Sequence, residues 1–333
     1  MTMPAEAPAP TGANLRHVGL WGATQSGKTT FISSLFLATS RLETNDVRIR
    51  GNNVESTDFL IRNTHILNQQ RKFPQATVAR QQLSWTIQML VPNRASRWLR
   101  RSAPDRVPFD FSVDLQDVGG FEHGAVPELD PSSRLDIGGG GTTPNTNIAS
   151  YFRTCQGLLL LIDPIRERTE GDAYNFFFGT LLRLAQEAPV PAGQRLPHYI
   201  AVCVTKFDDP EVYEFARNRG LISYRDDDPV MLPRVHPDDA EQLIRRLFQE
   251  LEKSDIDLVI SGLRKYFYAD RVRFFISSAV GFYVGKTGQF NVRDYKNVTE
   301  REGETVIRGA IRPINVAEPL LWLGESIAAE TRQ

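Results

Sequence analysis

Gly22-Ala23-Thr24-Gln25-Ser26-Gly27-Lys28-Thr29 spells G-x-x-x-x-G-K-T, and its flanks give the motif a setting. A short apolar run, His17–Trp21, precedes it and reads as a buried strand. Phe31, Ile32, Leu35 and Phe36 follow at helical spacing and predict a helix over Lys28–Ser40. Strand, glycine loop and helix in that order form a phosphate-binding loop. Glycines let backbone N–H groups curl around phosphate oxygens, and the helix N-terminus adds positive potential. On this reading Gly22, Thr24, Gln25, Ser26, Gly27 and Thr30 surround the phosphates. Lys28 reaches the β- and γ-phosphates, and the Thr29 hydroxyl is a ligand for Mg²⁺. Another Gly-Lys-Thr, Gly285–Thr287, lacks a glycine at the right distance upstream and a helix downstream, so it is a coincidence.

Beyond the loop, apolar strands alternate with helical stretches, the pattern of an α/β layered fold. Strands are expected at Leu83–Val91, Phe109–Leu115, Gly157–Ile162, Tyr199–Thr205 and Val272–Ser277. Most are continuous apolar runs, as in strands covered by helices on both faces. Leu83–Val91 instead alternates Leu83, Trp85, Ile87 and Met89 with Ser84, Thr86 and Gln88, which predicts an edge strand with one polar face. Helices are expected at Ala173–Glu187, Glu211–Asn218, Asp238–Lys253 and Val316–Ala329. The last has Asn315 as its N-cap, Glu318 three residues on, and a core stripe of Val316, Leu320, Leu323 and Ile327. Leu42–Ala79 and Phe121–Asn147 fit neither period, and Gly281–Arg312 reads as hairpin or loop.

Composition narrows the classes further. The 333 residues carry 39 Lys plus Arg against 40 Asp plus Glu, a balance that argues against nucleic acid as the main partner. No run is long enough to span a bilayer as a helix. Two cysteines, Cys155 and Cys203, sit in apolar runs and make no disulfide framework, which suits a cytoplasmic protein. Residues 1–14, rich in Ala and Pro, are expected to be a disordered tail. Residues 15–333 then form one domain with insertions at about 42–79, 121–147, 220–262 and 281–312.

Three more motifs, each after an expected strand, choose the nucleotide. Asp117-Val118-Gly119-Gly120 gives D-x-x-G: Asp117 can hold Mg²⁺ through water, and the Gly120 N–H can approach a γ-phosphate. Thr205-Lys206-Phe207-Asp208 gives T-K-x-D. A carboxylate there accepts from guanine N1–H and N2–H₂, donors that adenine lacks, and the Lys206 stem can lie along the base plane. Ser277-Ser278-Ala279 closes the next strand with small residues whose backbone can contact the guanine carbonyl.

These four motifs, in this order, resemble the Ras-like (TRAFAC class) P-loop GTPases over roughly half the chain. The resemblance implies a three-layer α/β/α sandwich with a mostly parallel six-stranded sheet, its one antiparallel edge strand being Leu83–Val91. It also implies Mg²⁺-dependent binding of GTP and GDP, and two switch segments that respond to the γ-phosphate. The switch threonine that precedes the edge strand matches Thr77 best, with Thr57 and Thr64 farther from that strand. All three intervals between motifs carry insertions relative to a minimal member. Phe73-Pro74-x-x-Thr77 and Asn315–Trp322 also resemble bacterial double-GTPase families of conflict and signalling systems.

After D-x-x-G these GTPases often carry a Gln that orients the attacking water. Here Phe121 stands in its place and cannot do so. Glu122, His123 and Gln25 are the side chains left to position water, so hydrolysis is expected to be slow and raised by a partner or by self-association. The basic stretch Arg94–Arg101, with Trp98, offers a surface to an effector protein beside a switch. Five scattered histidines show no zinc spacing. The leading reading is a GTP-binding switch or assembly module that forms a nucleotide-dependent homodimer or binds an effector. The rivals are a nucleotide-binding pseudo-GTPase scaffold and a P-loop ATPase.

Overall fold

Residues 15–23, 26–42, 46–75, 83–93, 105–115, 144–171, 173–188, 190–191, 193–250 and 254–331 are described by the computed structural model. The strands are β1 (Arg16–Gly22), β2 (Val47–Gly51), β3 (Leu83–Pro92), β4 (Arg106–Leu115), β5 (Gly157–Ile162), β6 (Tyr199–Val204) and β7 (Val272–Ile276). They form one sheet in the order β2-β3-β4-β1-β5-β6-β7. Every pairing is parallel except β2–β3 and β3–β4, so β3 alone runs against the other six.

The apolar runs are continuous where both faces are covered. From β5, Leu158, Leu160 and Ile162 enter one core with Phe152 of α3 (Pro144–Thr154) and, past the short α4 (Pro164–Glu170), Phe177 of α5 (Ala173–Glu187). That core also holds Tyr213 of α6 (Pro210–Asn218), Ile244 of α7 (Pro237–Gln249) and Ile260 of α8 (Ile256–Tyr266). Leu159 and Leu161 point the other way, onto Ile32 and Leu35 of α1 (Lys28–Thr39), Phe59 of α2 (Val54–His65) and Leu320 and Leu323 of α9 (Glu318–Thr331). The molecule is therefore a three-layer P-loop α/β/α sandwich. Burying a Leu side chain removes its apolar surface from water, about 2 kcal/mol each. Strand runs buried on both faces are thus the strongest fold signal in the sequence.

Two expectations are corrected at the far side of the sheet. There are seven strands rather than six, and Leu83–Val91 is not the edge, because β2 lies outside it. Alternation reports that only one face of a strand is buried in apolar core, and says nothing about a neighbour. On β3 the apolar residues Leu83, Trp85, Ile87, Met89 and Val91 pack in the α1–α9 core. The polar ones join a network: Asn52 Nδ2 donates to Ser84 Oγ at 2.7 Å, and Gln88 Nε2 donates to Asp110 at 3.0 Å. Asp114 of β4 is its hub, with His17 Nδ1 at 2.8 Å and the hydroxyls of Ser84, Ser112 and Tyr151 all turned to it. Burial alone would raise the Asp114 pKa, but those hydrogen bonds outweigh it and hold the carboxyl below its usual range.

β2 and α2 lie in Leu42–Ala79, which showed no period. β2 alternates Val47 and Ile49 with exposed Arg48 and Arg50, too short a pattern to register. α2 is capped by Asn53, whose side chain accepts from Ser56 N at 2.7 Å. Asn315 is not the N-cap of the last helix, which begins at Glu318. It sits instead in the left-handed region at φ 48°, and its Nδ2 donates to Ile276 O at 2.8 Å, tying the chain to the end of β7. Val316, Leu320, Leu323 and Ile327 are buried, as their stripe predicts.

Within Gly281–Arg312 a hairpin of β8 (Val298–Arg301) and β9 (Glu304–Ile307) turns at Glu302-Gly303, both with positive φ, the geometry that matches strand twist. Ile307 N donates to Arg71 O at 2.8 Å, fastening the hairpin to the chain after α2. A third apolar cluster of Leu67, Val280, Ile307 and Ile311 sits beneath it, with Leu37, Phe73 and Val298 packed against it. Among the described residues no helix is long and apolar enough to cross a membrane.

Candidate nucleotide-binding site

β1, β6 and β7 run parallel, so the loops that follow them open at one end of the sheet. In the first loop the two motif glycines are required for different reasons. Gly27 caps α1 in the left-handed region at φ 91°, where a side chain is strained even though space is open. Gly22 has ordinary backbone, but a Cβ there would lie 2.6 Å from Ser26 Oγ and 2.9 Å from Leu161 O. Lys28 Nζ donates to Gly22 O and Ala23 O at 2.8 and 2.7 Å, which bends its ammonium back over the loop. Ser26 is buried and its hydroxyl has no hydrogen-bond partner among the described residues, a polar atom in the floor of the loop. No acidic residue lies in the first turn of α1, so no intrinsic carboxylate offsets the positive end of its dipole. Thr29 stands beside Lys28 in that turn, a hard oxygen of the type Mg²⁺ takes.

The second loop follows β6. Thr205 N donates to Ile162 O at 2.9 Å, holding it to the neighbouring strand. Lys206 adopts a left-handed conformation at φ 58°, unusual for a residue with a Cβ and typical of functional turns. Its Nζ lies 2.7 Å from Asp163 Oδ2. Asp163 also caps α4 through Oδ1, accepting from Ile165 N at 2.9 Å. One carboxylate thus anchors a helix and the lysine together.

Asp208 is buried and accepts from the Ser278 hydroxyl. Burial pushes its carboxyl up to about 6, with the Ser278 hydrogen bond pulling the other way. Ser278 Oγ accepts in turn from Gly281 N at 2.7 Å. The backbone of Ser278 exchanges two hydrogen bonds with Ile314, at 2.8 and 2.9 Å. The third loop, Ser277–Ala279, is therefore clamped to the second by a side chain and to the start of α9 by backbone.

Gly27, Thr30, Thr205, Lys206, Asp208, Ser277 and Ala279, all expected from sequence, line a single cavity of about 530 Å³. Gly22, Ser26, Lys28 and Thr29 sit in the adjoining loop and first helical turn. Ser278 supports the cavity from behind through Asp208. The rest of the wall was not among the expected site residues: Phe31, Phe73, Asp209, Pro210, Val280, Lys296, Val298 and Thr305. Three of these belong to the β8–β9 insertion and its approach, whose residues carry no motif and reach the cleft only through long-range packing. In the sequence Phe73 enters only through the Phe73-Pro74-x-x-Thr77 stretch.

Thr24, Gln25, Thr77, Asp117, Gly119, Gly120, Phe121, Glu122, His123 and the stretch Arg94–Arg101 lie outside the described residues. The other two threonines considered for the switch lie on α2 and are engaged: Thr57 Oγ1 donates to Asn53 O at its own helix's N-cap and Thr64 Oγ1 to Ser33 O of α1, each at 3.0 Å.

No protein-family model matches the chain. No curated protein matches it either. Among solved structures it is similar to the signal recognition particle receptor SRb in an SRb-GTP/SRX complex from Chaetomium thermophilum. That likeness has 11% identity and a TM-score of 0.36, and covers 82% of this chain and 94% of that one. It is also similar to the S. cerevisiae Ski7 GTPase-like domain bound to GTP, with 10% identity, TM-score 0.34, and 81% and 46% coverage. A third likeness is to Sup35 complexed with GDP, with 11% identity, TM-score 0.29, and 80% and 38% coverage. The chain thus spans less than half of the Ski7 and Sup35 chains.

Proposed function

We propose that this chain binds GTP and GDP with Mg²⁺ and works as a nucleotide-regulated switch or assembly module with slow GTP hydrolysis. The observation that carries the reading is a buried Asp208 facing the same cavity as Gly27 and Thr30 of the phosphate loop. A carboxylate buried without a cationic partner in contact is costly. Guanine N1–H and N2–H₂ would satisfy it, whereas adenine presents no such pair. Lys28 and the loop amides would hold the β- and γ-phosphates, and Lys206, fixed by Asp163, would lie along the base. Phe73 would close the far side of the base pocket.

Mg²⁺ would be held by Thr29 together with Thr77 and Asp117, and would supply charge neutralisation at the phosphates. Gly120 would meet the γ-phosphate through its N–H. Glu122, His123 or Gln25 would orient water in place of the usual Gln. Phe121, apolar at that position, is the specific reason to hold a second reading, a nucleotide-binding scaffold without turnover. Partners would be an effector protein meeting the switch segments and the Arg94–Arg101 stretch, or a second copy of this chain.

The test is competition of GTP, ATP and XTP against a fluorescent GTP analogue, on wild type and Asp208→Asn. GTP is expected to win on wild type, and XTP to gain on the variant because its extra carbonyl accepts from the new amide. Equal competition by ATP, with the variant unchanged, would sink the guanine reading. Phosphate release at several protein concentrations then separates a slow GTPase from a scaffold.

A further inference from the structure

The third apolar cluster reaches the nucleotide cavity and has three arginines close to it along the chain. Val280, Phe73 and Val298 line the cavity and belong to the cluster or pack against it. Three of its segments carry an arginine shortly after their cluster residue. Arg41 lies one turn beyond Leu37, Arg71 one turn beyond Leu67, and Arg312 directly follows Ile311. Nearby cations outside this group have carboxylate partners: Lys72 meets Glu304 at 2.5 Å and Arg308 meets Asp294 at 2.8 Å. Arg41, Arg71 and Arg312 have none among the described residues. Arg71 Nη1 and Arg312 Nε are buried with no hydrogen-bond partner among the described residues. Desolvation, and then the charges of Arg312 and Arg71, hold the Arg41 guanidinium below its ordinary pKa, which reports that the three sit within reach of one another.

The backbone fixes two of the three in place. Arg71 is held in the left-handed region at φ 57°, a conformation costly for a residue with a Cβ. Arg312 N donates to Val280 O at 2.9 Å. Its carbonyl lies so close over Gly281 that a Cβ there would come within 1.9 Å. Unpaired buried donors and clustered like charges are both unfavourable, and both are relieved by an anion that brings several acceptor oxygens.

We infer that Arg41, Arg71 and Arg312 form a second anion site, distinct from the phosphate loop, that takes a small, multiply charged phosphate. Guanidinium forks match phosphate oxygens bidentately, and three of them exceed what a single carboxylate needs. The site shares the Leu67–Ile311 cluster with the nucleotide cavity. An occupant would therefore brace Arg71 and, two residues on, the Phe73 wall.

The probe is pyrophosphate, titrated calorimetrically at constant ionic strength into the full chain carrying Lys28→Ala, which removes the phosphate-loop ammonium. Saturable one-to-one binding is expected, weakened at least tenfold by adding Arg71→Gln. Adding Arg312→Lys keeps the charge and loses the fork, and a several-fold loss is expected there too. Circular dichroism melts select the variants that remain folded, and the charge-conserving variant covers the case where Arg71→Gln does not. The inference is overturned if the Lys28→Ala chain shows no saturable binding, or if folded variants bind as their parent does. It is also overturned if a glutamate-rich peptide binds there and pyrophosphate fails to displace it, since the partner would then be a protein. Because the titration is read without the phosphate-loop lysine, a failure of GTP to bind wild type leaves it interpretable.

Discussion

The two ends of the cleft are built on different chemistry. At the proposed phosphate end the groups available are backbone N–H donors, a helix terminus and Lys28, held by two carbonyl oxygens within its own loop. At the base end the working group is one carboxylate, Asp208, buried against Ser278 and pushed up to about 6. On the proposed reading, the phosphate end would accept any nucleoside triphosphate, and the base end would choose among them in a way that depends on the proton. Affinity and selectivity would thereby be separated in space, and substitutions at either end distinguish them.

The largest effect is expected from Lys28→Ala. Losing a charge-assisted contact to phosphate removes about 3 kcal/mol, on the order of a hundredfold in affinity. It falls equally on GTP and ATP analogues, because the loop does not see the base. Equilibrium titration of both analogues checks this. A loss confined to GTP would overturn the division between the ends.

The next effect is a pH dependence confined to the base end. Only ionised Asp208 can accept both guanine donors. Guanine affinity is therefore expected to be flat above about pH 7 and to fall by about tenfold per unit well below pH 6. Stability of the unliganded protein runs the opposite way. The folded-state value lies above the ordinary carboxylate value, so the contribution is fully present below the ordinary value and is lost as pH rises through about 6. Comparing wild type with Asp208→Asn isolates both trends from the His17–Asp114 pair, which titrates in both proteins. Parallel curves for the two proteins would mean that Asp208 is not the titrating group.

A smaller effect, on folding rather than selectivity, is expected at Gly27. Placing a Cβ at φ 91° costs about 1–2 kcal/mol even where nothing stands in its way. Gly27→Ala should lower the unfolding free energy by that amount in denaturant titrations. An unchanged value would show that the loop can adopt another conformation without cost.

How much of this was legible from sequence follows the same physics. The strands buried on both faces, β5 and β6, were readable to within a residue, because nothing else explains Leu158–Leu161 or Ile200–Val204. The loop residues of the cleft were readable because phosphate and guanine chemistry each demand particular residue types at fixed spacing. β2 and α2 were not readable, since five residues with two exposed arginines and a helix burying few apolar side chains leave little periodicity. The edge assignment of Leu83–Val91 failed because Asn52, Ser84 and Ser112 pair the polar face internally, and a polar face looks the same in sequence whether solvent or another side chain satisfies it. Lys296, Val298 and Thr305 were invisible because a hairpin reaches the cavity only through the fold.

The smallest expected effect lies at the joint between the two ends. Asp163 follows β5 and holds Lys206 at 2.7 Å while capping α4. Asn caps helices about as well as Asp, so Asp163→Asn should leave the melting midpoint nearly unchanged while removing the ion pair. The Lys206 side chain is 47% exposed, so solvent screens that pair and its contribution is under about 1 kcal/mol. The expected outcome is a loss of guanine affinity of a few-fold, with ATP analogues less affected, because on the proposed reading the lysine stem would lie against the base and not against the phosphates. A loss as large as that of Lys28→Ala, shared by every nucleotide, would place Asp163 in the phosphate machinery instead. The boundary between the two ends would then run behind β5 rather than in front of it.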